Sequence, residues 1–388
     1  MKLNTQYDYI FAGGGAAALS LLVRMQKEGL LRDKKVLVID KDEKTTNDRT
    51  WCFWEEKEGL FESCVIKTWD KIRFASPGYD AKLNPQPYKY KMIRSQAFYN
   101  YCREIISQNS NIHFVQETIL NFENNAVITS EGKHHAHLIF NSAIHDLEKD
   151  ESRYHYFLQH FKGKFIETEQ PFFEEGVATL MDFTIAQNNE CRFMYILPVS
   201  ATKALMEFTV FSEKLLNESE YESQLTQYID EKLKYHSYKI TEEEFGIIPM
   251  YNQTFPKKSN EHVINIGTSG GASKASTGFT FHFIQEESKH LVEHLKKHPT
   301  LKNYQAKGKG RFQFYDDVFL RVLREKKAPA FYLFNCMFRK LPAYLPLKFL
   351  SEETSLMEDL KILRVFPTMV FMKAAISELL KQPVRRAE

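Results

Sequence analysis

One carboxylate in this sequence stands where an acid is out of place. Glu207 sits inside the strand-like run "ALMEFTVF", with Leu205, Met206, Phe208 and Phe211 around it. A carboxyl held in an apolar pocket has its ionised form disfavoured, so it keeps its proton near neutral pH and can act as a general acid. The competing reading is structural: Glu207 and Thr209 alternate on one strand face, and that face would then simply be wet. A second constellation is "GGGAAALS", which places Gly13, Gly15 and Ala18 in a GxGxxG/A pattern. Gly13 permits a tight turn, Gly15 lets the backbone approach a pyrophosphate, and Ala18 lets helix and strand pack closely. The N–H groups of Ala16, Ala17 and Ala18 at the helix start would face the anion.

These residues need elements to position them. "YDYIFAG" reads as a short strand, and "GGGAAALSLLVRMQKEG" continues with helical spacing at Leu19, Leu22, Val23 and Met25. "KKVLVID" (34–40) is a buried parallel-strand type of run that ends in Asp40, 22 residues past Ala18. An acid there can accept from ribose hydroxyls. The motif's early position and the lack of a second GxGxxG favour FAD over NAD. A later Gly-rich turn, "NIGTSGG" (265–271), would bring Gly267, Gly270 and Gly271 close to a flavin. A helix is expected from near Thr277, capped by Ser276 or Thr277. Arg49 and Arg94 suit phosphate, with a surface salt bridge as the plain alternative for each.

Between these motifs, "TLMDFTIAQ", "CRFMYILPVS" and "KALMEFTVFS" read as an antiparallel sheet, and the residues after 311 as mostly helix. The fold class expected is α/β: a Rossmann-like FAD-binding fold with an inserted, mainly antiparallel β domain and a helical C-terminal region. Residues 1–66, 90–150 and 245–300 would bind the cofactor, 67–89 and 151–244 would form the substrate domain, and 301–388 the helical region.

Bulk properties narrow the partners. The 388 residues carry a formal net charge of +2, so nothing global points to nucleic acid. Residues 301–388 hold 17 Lys/Arg against 9 Asp/Glu. With "APAFYLFNCMFRKLPAYLPLKFL" (328–350), which carries Arg339, Lys340 and Lys348, this basic and aromatic third reads as an interfacial membrane-docking surface. The bland alternative is a set of buried helices. No run reaches the roughly 18 apolar residues that a spanning helix needs. The first strand begins by residue 8, which leaves no place for a signal peptide, and the 5 cysteines form no CxxC pair. A cytoplasmic protein resting on the inner membrane face, with neither metal site nor disulfides, is expected.

Five blocks carry a resemblance: "NDRTWCFW" (47–54), "LMDF" (180–183), "FMYILPVS" (193–200), "IGTSGGASKASTGFTF" (266–281) and "FLSEETSLMEDLKIL" (349–363). In this order they resemble the signature blocks of the flavoprotein lycopene β-cyclases, above all those of carotenoid-making bacteria. The resemblance implies a hydroxylase-type FAD fold and an acid-catalysed, non-redox reaction. The ψ ends of lycopene would close to β-ionone rings through γ-carotene to β-carotene, with FAD in reduced form and NAD(P)H as electron source. The family's catalytic acid lies a fixed distance after its "FxYxLPxS"-like strand, and here that position is Glu207. "FLSEET" looks similar to the plant-type acid block, but its surroundings fit a late helical block. Phe208 stands where the plant-type enzymes have a second acid.

The implied chemistry is demanding. An isolated carbon–carbon double bond is a very weak base, so the acid must meet it without water between them. The cation that follows needs negative or π-rich surroundings, for which Trp51, Phe53, Trp54, Phe183, Phe193 and Tyr195 are candidates, with core packing as their alternative. Asp182 would orient a neighbour or hold a turn. The final proton returns to Glu207 or leaves by way of the flavin. Three rival readings stand beside this one: an FAD-dependent monooxygenase, a prenyl reductase of the same fold, and a non-catalytic carotenoid or flavin carrier. The monooxygenases usually carry Gly-Asp where Gly267 is followed by Thr268.

Overall fold

In the computed structural model, residues 6–380 are described apart from 144–148, 235, 299, 307 and 309. The outer ends of the expected segments 1–66 and 301–388 therefore lie outside the described residues.

The N-terminal strand Gln6–Ala12 pairs in parallel with Val36–Asp40 on one side and Gly132–Asn141 on the other. Ile112–Gln116 and Val263–Asn265 extend the parallel sheet, and the antiparallel strands Ala126–Thr129 and Ile119–Glu123 complete seven strands. The first crossover is the helix Ala16–Lys27. It buries Ala17 through Val23 without a break because the sheet lies on one side of it and the helix Phe281–Lys297 on the other. Such a helix has no wet face to show as polar periodicity.

A second seven-stranded sheet runs in the order Tyr238–Tyr251, Tyr156–Thr168, Lys203–Ser212, Cys191–Pro198, Val177–Asp182, Lys71–Ser76, Tyr79–Leu83. The expected boundary at residue 244 is corrected here. Tyr238–Tyr251 pairs with Tyr156–Thr168 along its length, with one register shift between Phe165 and Ile166, so this sheet runs on to residue 251. Both faces are covered. Met206, Phe208 and Val210 pack with Tyr221, Leu225, Tyr228 and Ile229 of the helix Glu218–Leu233. The opposite face of the same strand carries Leu205, Glu207, Thr209 and Phe211. A small sheet of Thr50–Glu55, Lys89–Arg94 and Val65–Trp69 stands separately.

The helices Arg311–Arg324, Ala330–Lys340 and Tyr344–Leu350 pack into the largest core of the molecule. This overturns the expectation that 328–350 is an exposed docking surface. Leu333, Phe334, Cys336, Met337, Phe338, Leu345, Leu347 and Leu350 are buried, because the rings of Phe334 and Phe338 stack on Phe183 and Phe74 of the large sheet. Exposed apolar side chains lie further on, along Leu356–Leu363 and Thr368–Leu379. Among the described residues no helix is long and apolar enough to cross a membrane.

Candidate active site

Strand pairing brings two carboxyls together over a glycine. Glu207 lies opposite Gly163, and Gly163 lies opposite Glu244 on its other side. No side chain rises between the acids. A Cβ at position 163 would come within 3.2 Å of Glu244 Cγ and 3.5 Å of Glu207 Cβ. Both side chains line one cavity, and Glu244 is close enough to raise the pKa of Glu207. Two ionised carboxylates so close repel each other, which favours keeping a proton on one of them.

Glu207 is 8% exposed, so the wet-face reading of its strand does not describe it. Its pKa is pushed up to about 8, first by burial and then by the charge of Glu244. Thr209 Oγ1 donates to Glu207 Oε1 at 2.6 Å and works against that rise. Burial raises the pKa of Glu244 as well, while Thr50 Oγ1, donating at 2.7 Å, and the charge of Arg94 oppose it. The burial of Glu207 has a source its flanking residues only half announce. Met206 and Phe208 point to the helix side of the sheet, and Leu205 and Phe211 share the cavity with the acid.

That cavity holds about 110 Å³ and lies between the large sheet, the strand Thr50–Glu55 and the turn at 277–281. Trp51, Phe161, Phe193, Tyr195, Phe279 and Phe281 contribute rings to its wall. Of the expected pocket residues, Trp51, Phe193 and Tyr195 are thus brought to Glu207. The other four are engaged elsewhere. Phe53 packs on Phe281 at 4.7 Å, and Trp54 Nε1 donates to Ser351 Oγ at 2.7 Å. Phe183 sits in the core between Phe74, Phe193 and Phe334. Asp182 is fully buried and accepts from Thr184 Oγ1 at 2.5 Å and Tyr228 OH at 2.6 Å. Burial pushes its pKa up, but these bonds and Lys232 hold it below the ordinary value, so it fastens the strand end as a carboxylate.

The first glycine-rich turn fits a dinucleotide. Gly13 has φ +99°, and a Cβ there would lie 2.4 Å from Ser142 Oγ. Gly15 faces open space, and the helix that follows has no side-chain cap, so the N–H groups of Ala16–Ala18 are placed to meet an anion. Beside the turn is a cavity of about 670 Å³, walled in part by Gly14, Asp40, Tyr99 and Arg103. Asp40 also holds the loop itself, accepting from Gly14 N at 2.6 Å and Asp42 N at 2.9 Å.

The second turn packs directly on this helix. Gly267 has φ +60°, and a Cβ there would lie 2.5 Å from the Cβ of Ala17. Its N–H is already taken by Glu287 Oε2 at 2.7 Å, so Gly267 serves close approach and does not offer that donor to a phosphate. Gly270 and Gly271 are pressed against Asn265 O and the Phe255 ring. The helix expected from near Thr277 begins at Phe281 instead, because Gly278 takes a left-handed turn at φ +70° and Thr280 becomes the N-cap. Ser276 and Thr277 are buried, and the Thr277 hydroxyl has no protein partner.

Neither expected arginine lines the nucleotide cavity. Arg94 lies 4.3 Å above the Phe165 ring and pairs with Glu242 at 2.6 Å, on the side of the carboxyl pair. Arg49 is exposed and donates to Asp48 O at 2.7 Å. Glu352 of "FLSEET" pairs with Lys274 at 3.0 Å and stands outside the Glu207 cavity, in keeping with the late-helical reading of that block. Reading along the chain missed Glu244 and Gly163. The one signal available was a glycine within the otherwise continuous strand "YFLQHFKGKFIET", which marks a close approach.

Comparison with known proteins gives the following. Residues 8–376 match the family described as "Lycopene cyclase protein". A search of curated proteins gives no match. Among solved structures, a geranylgeranyl bacteriochlorophyll reductase-like protein from Thermoplasma acidophilum is similar with a TM-score of 0.61 at 12% identity, over 95% of this chain and 98% of that one. The flavin-dependent brominase Bmp2 is similar with a TM-score of 0.57 at 11% identity, over 97% and 100%. A probable FAD-dependent monooxygenase from Pseudomonas aeruginosa, PqsL, gives 0.54 at 10%, over 77% and 89%. At such identities the likeness concerns the fold, which is that of the Rossmann-like FAD-binding proteins.

Proposed function

The chain belongs to the lycopene cyclase family, and on that premise we propose that it is a lycopene β-cyclase, an isomerase of carotenoid biosynthesis that uses reduced FAD. The observation that carries this reading is Glu207 buried in a ring-walled cavity, where burial and Glu244 push its pKa up to about 8. Glu207 gives its proton to the terminal double bond of a ψ end: an O–H bond breaks and a C–H bond forms. The resulting tertiary cation closes on the neighbouring double bond, and loss of one ring proton leaves the β-ionone alkene. One proton enters and one leaves, so there is no net oxidation. The Glu207–Glu244 pair, already singly negative and doubly negative once its proton is given, can take it back.

The aromatic walls exclude water, which would otherwise trap the cation as an alcohol. Trp51, Phe193 and Tyr195 offer ring faces each worth ~0.5–2 kcal/mol to a cation in a dry site. Bound and reduced, FAD would supply negative charge that favours the cation, with NAD(P)H as its electron source. The Gly13–Gly15 turn, the start of the Ala16–Lys27 helix and Asp40 would hold its nucleotide half. Under argon, protein with reduced flavin is expected to turn lycopene into γ- and β-carotene. An oxygen-dependent product would instead point to a monooxygenase, and a saturated chain to a prenyl reductase.

The substrate dissolves in bilayers, so the protein must touch one. We place that contact on Leu356–Leu363 and Thr368–Leu379, where Leu356, Met357, Leu360, Met369, Met372, Ile376 and Leu379 are exposed beside Lys361, Arg364 and Lys373. Apolar surface ringed by cations suits anionic lipid. The double variant Leu360→Glu/Ile376→Glu is expected to bind vesicles of phosphatidylcholine and phosphatidylglycerol at least ~10-fold more weakly in co-sedimentation. A changed oligomeric state with unchanged vesicle binding would assign this face to a second copy of the chain.

A further inference from the structure

A third cavity, of about 240 Å³, is assigned to no step above. The helices Arg311–Arg324 and Ala330–Lys340 and the segment 349–375 enclose it, with a mainly apolar wall of Phe, Met, Leu and Val side chains that Ser276, Thr277, Asp316 and Thr368 interrupt. One end is open to solvent at Thr368 and Met372, the latter 49% exposed. The other end is deep in the molecule, at Ser276, Thr277, Phe334 and Met337. Thr277, 3% exposed, lines the Glu207 cavity as well, so this one residue is the wall that the two spaces share. The catalytic cavity, at about 110 Å³, is far too small for a whole carotenoid. A carotenoid leaves most of its length over, as a stiff, apolar chain with no group for a polar wall to recognise. A long apolar slot is what such a chain requires.

We propose that this channel is the binding site for the unreacted length of the polyene, which enters between Thr368 and Met372 and passes its reacting end to Glu207 at Thr277. The proposal rests on the cyclase reading for the identity of the chain bound. It also accounts for the position of the mouth, which opens on the helices that carry the exposed apolar side chains, so a hydrocarbon can pass from lipid to channel without crossing water.

The test separates binding from chemistry. Glu207→Gln protein purified from lycopene-accumulating bacteria should retain pigment, read from its visible absorbance per mole of protein. Adding Ala375→Trp, which fills the channel behind its mouth, should lower retained pigment roughly 10-fold or more. Flavin content and vesicle binding should not change. Thr368→Trp, at an exposed position, gives a second block with little risk to folding and should act in the same direction. Undiminished pigment in both blocked variants overturns the channel, whatever the wild-type protein does with lycopene. Channel-dependent pigment binding in a wild-type protein that forms no rings keeps the channel and overturns the cyclase reading.

Discussion

Glu207→Gln is expected to abolish ring formation, leaving lycopene unchanged in cells where the wild-type protein converts it. The glutamine side chain keeps the size and the hydrogen bond from Thr209, but its amide is far too weak an acid to protonate an alkene. Loss of a positioned general acid costs ~10²–10⁴-fold in rate, and an unactivated double bond as acceptor places the effect at the upper end. Pigment analysis by chromatography reads the outcome, with flavin content as the check on folding. The same substitution should stabilise the protein at alkaline pH. The folded-state pKa of Glu207 lies above the ordinary carboxyl value, at about 8. The unfolded chain therefore releases this proton first, and stability falls as pH rises from the unfolded pKa toward the folded one. Removing the group lifts that penalty, on the order of a few kcal/mol above pH 8. A higher melting temperature without activity is the pattern expected of an acid held at stability's expense. Residual cyclisation near the wild-type rate would remove Glu207 from the mechanism.

The second large effect is a shift in pH dependence on removing Glu244. Wild-type activity should fall as pH rises through about 8, where Glu207 loses its proton. The charge of Glu244 is part of what raises that value. In Glu244→Gln this repulsion is gone, and the new amide can donate to the ionised form of Glu207. Both changes favour ionisation, so the descending limb should move to lower pH. The variant should lose most of its activity at pH 8 and recover part of it in mildly acidic buffer, whereas Glu207→Gln recovers none. A limb left in place would mean that Glu244 is a bystander and that burial alone sets the acidity of Glu207. A proportional loss at every pH would mark Glu244 as needed for folding or for taking the proton back.

The sequence by itself determined what is local. A turn that needs positive φ at Gly13, and small residues at positions 15 and 18 at the head of a helix, can be read from a dozen residues because backbone sterics act over that distance. Order along the chain likewise marked out Glu207 through the blocks around it. The tertiary structure alone decided which residues share its cavity. Strand register carried Glu244 across Gly163 to Glu207 from 37 positions away, and no periodicity within either strand encodes that pairing. The local pleat of the strand is what turns Met206 and Phe208 away from the acid. With both faces of the sheet buried, hydrophobic alternation could not tell a catalytic wall from a packed one, nor separate Trp51 from Phe53 and Trp54. The C-terminal third shows the same limit. Phe334 and Phe338 went inward because Phe183 and Phe74 offer them rings to stack on, while the plainer Leu and Met side chains at 356, 357, 360, 369, 372 and 379 were left facing out. Burial belongs to the assembled surfaces, and a chain read one residue at a time does not contain it.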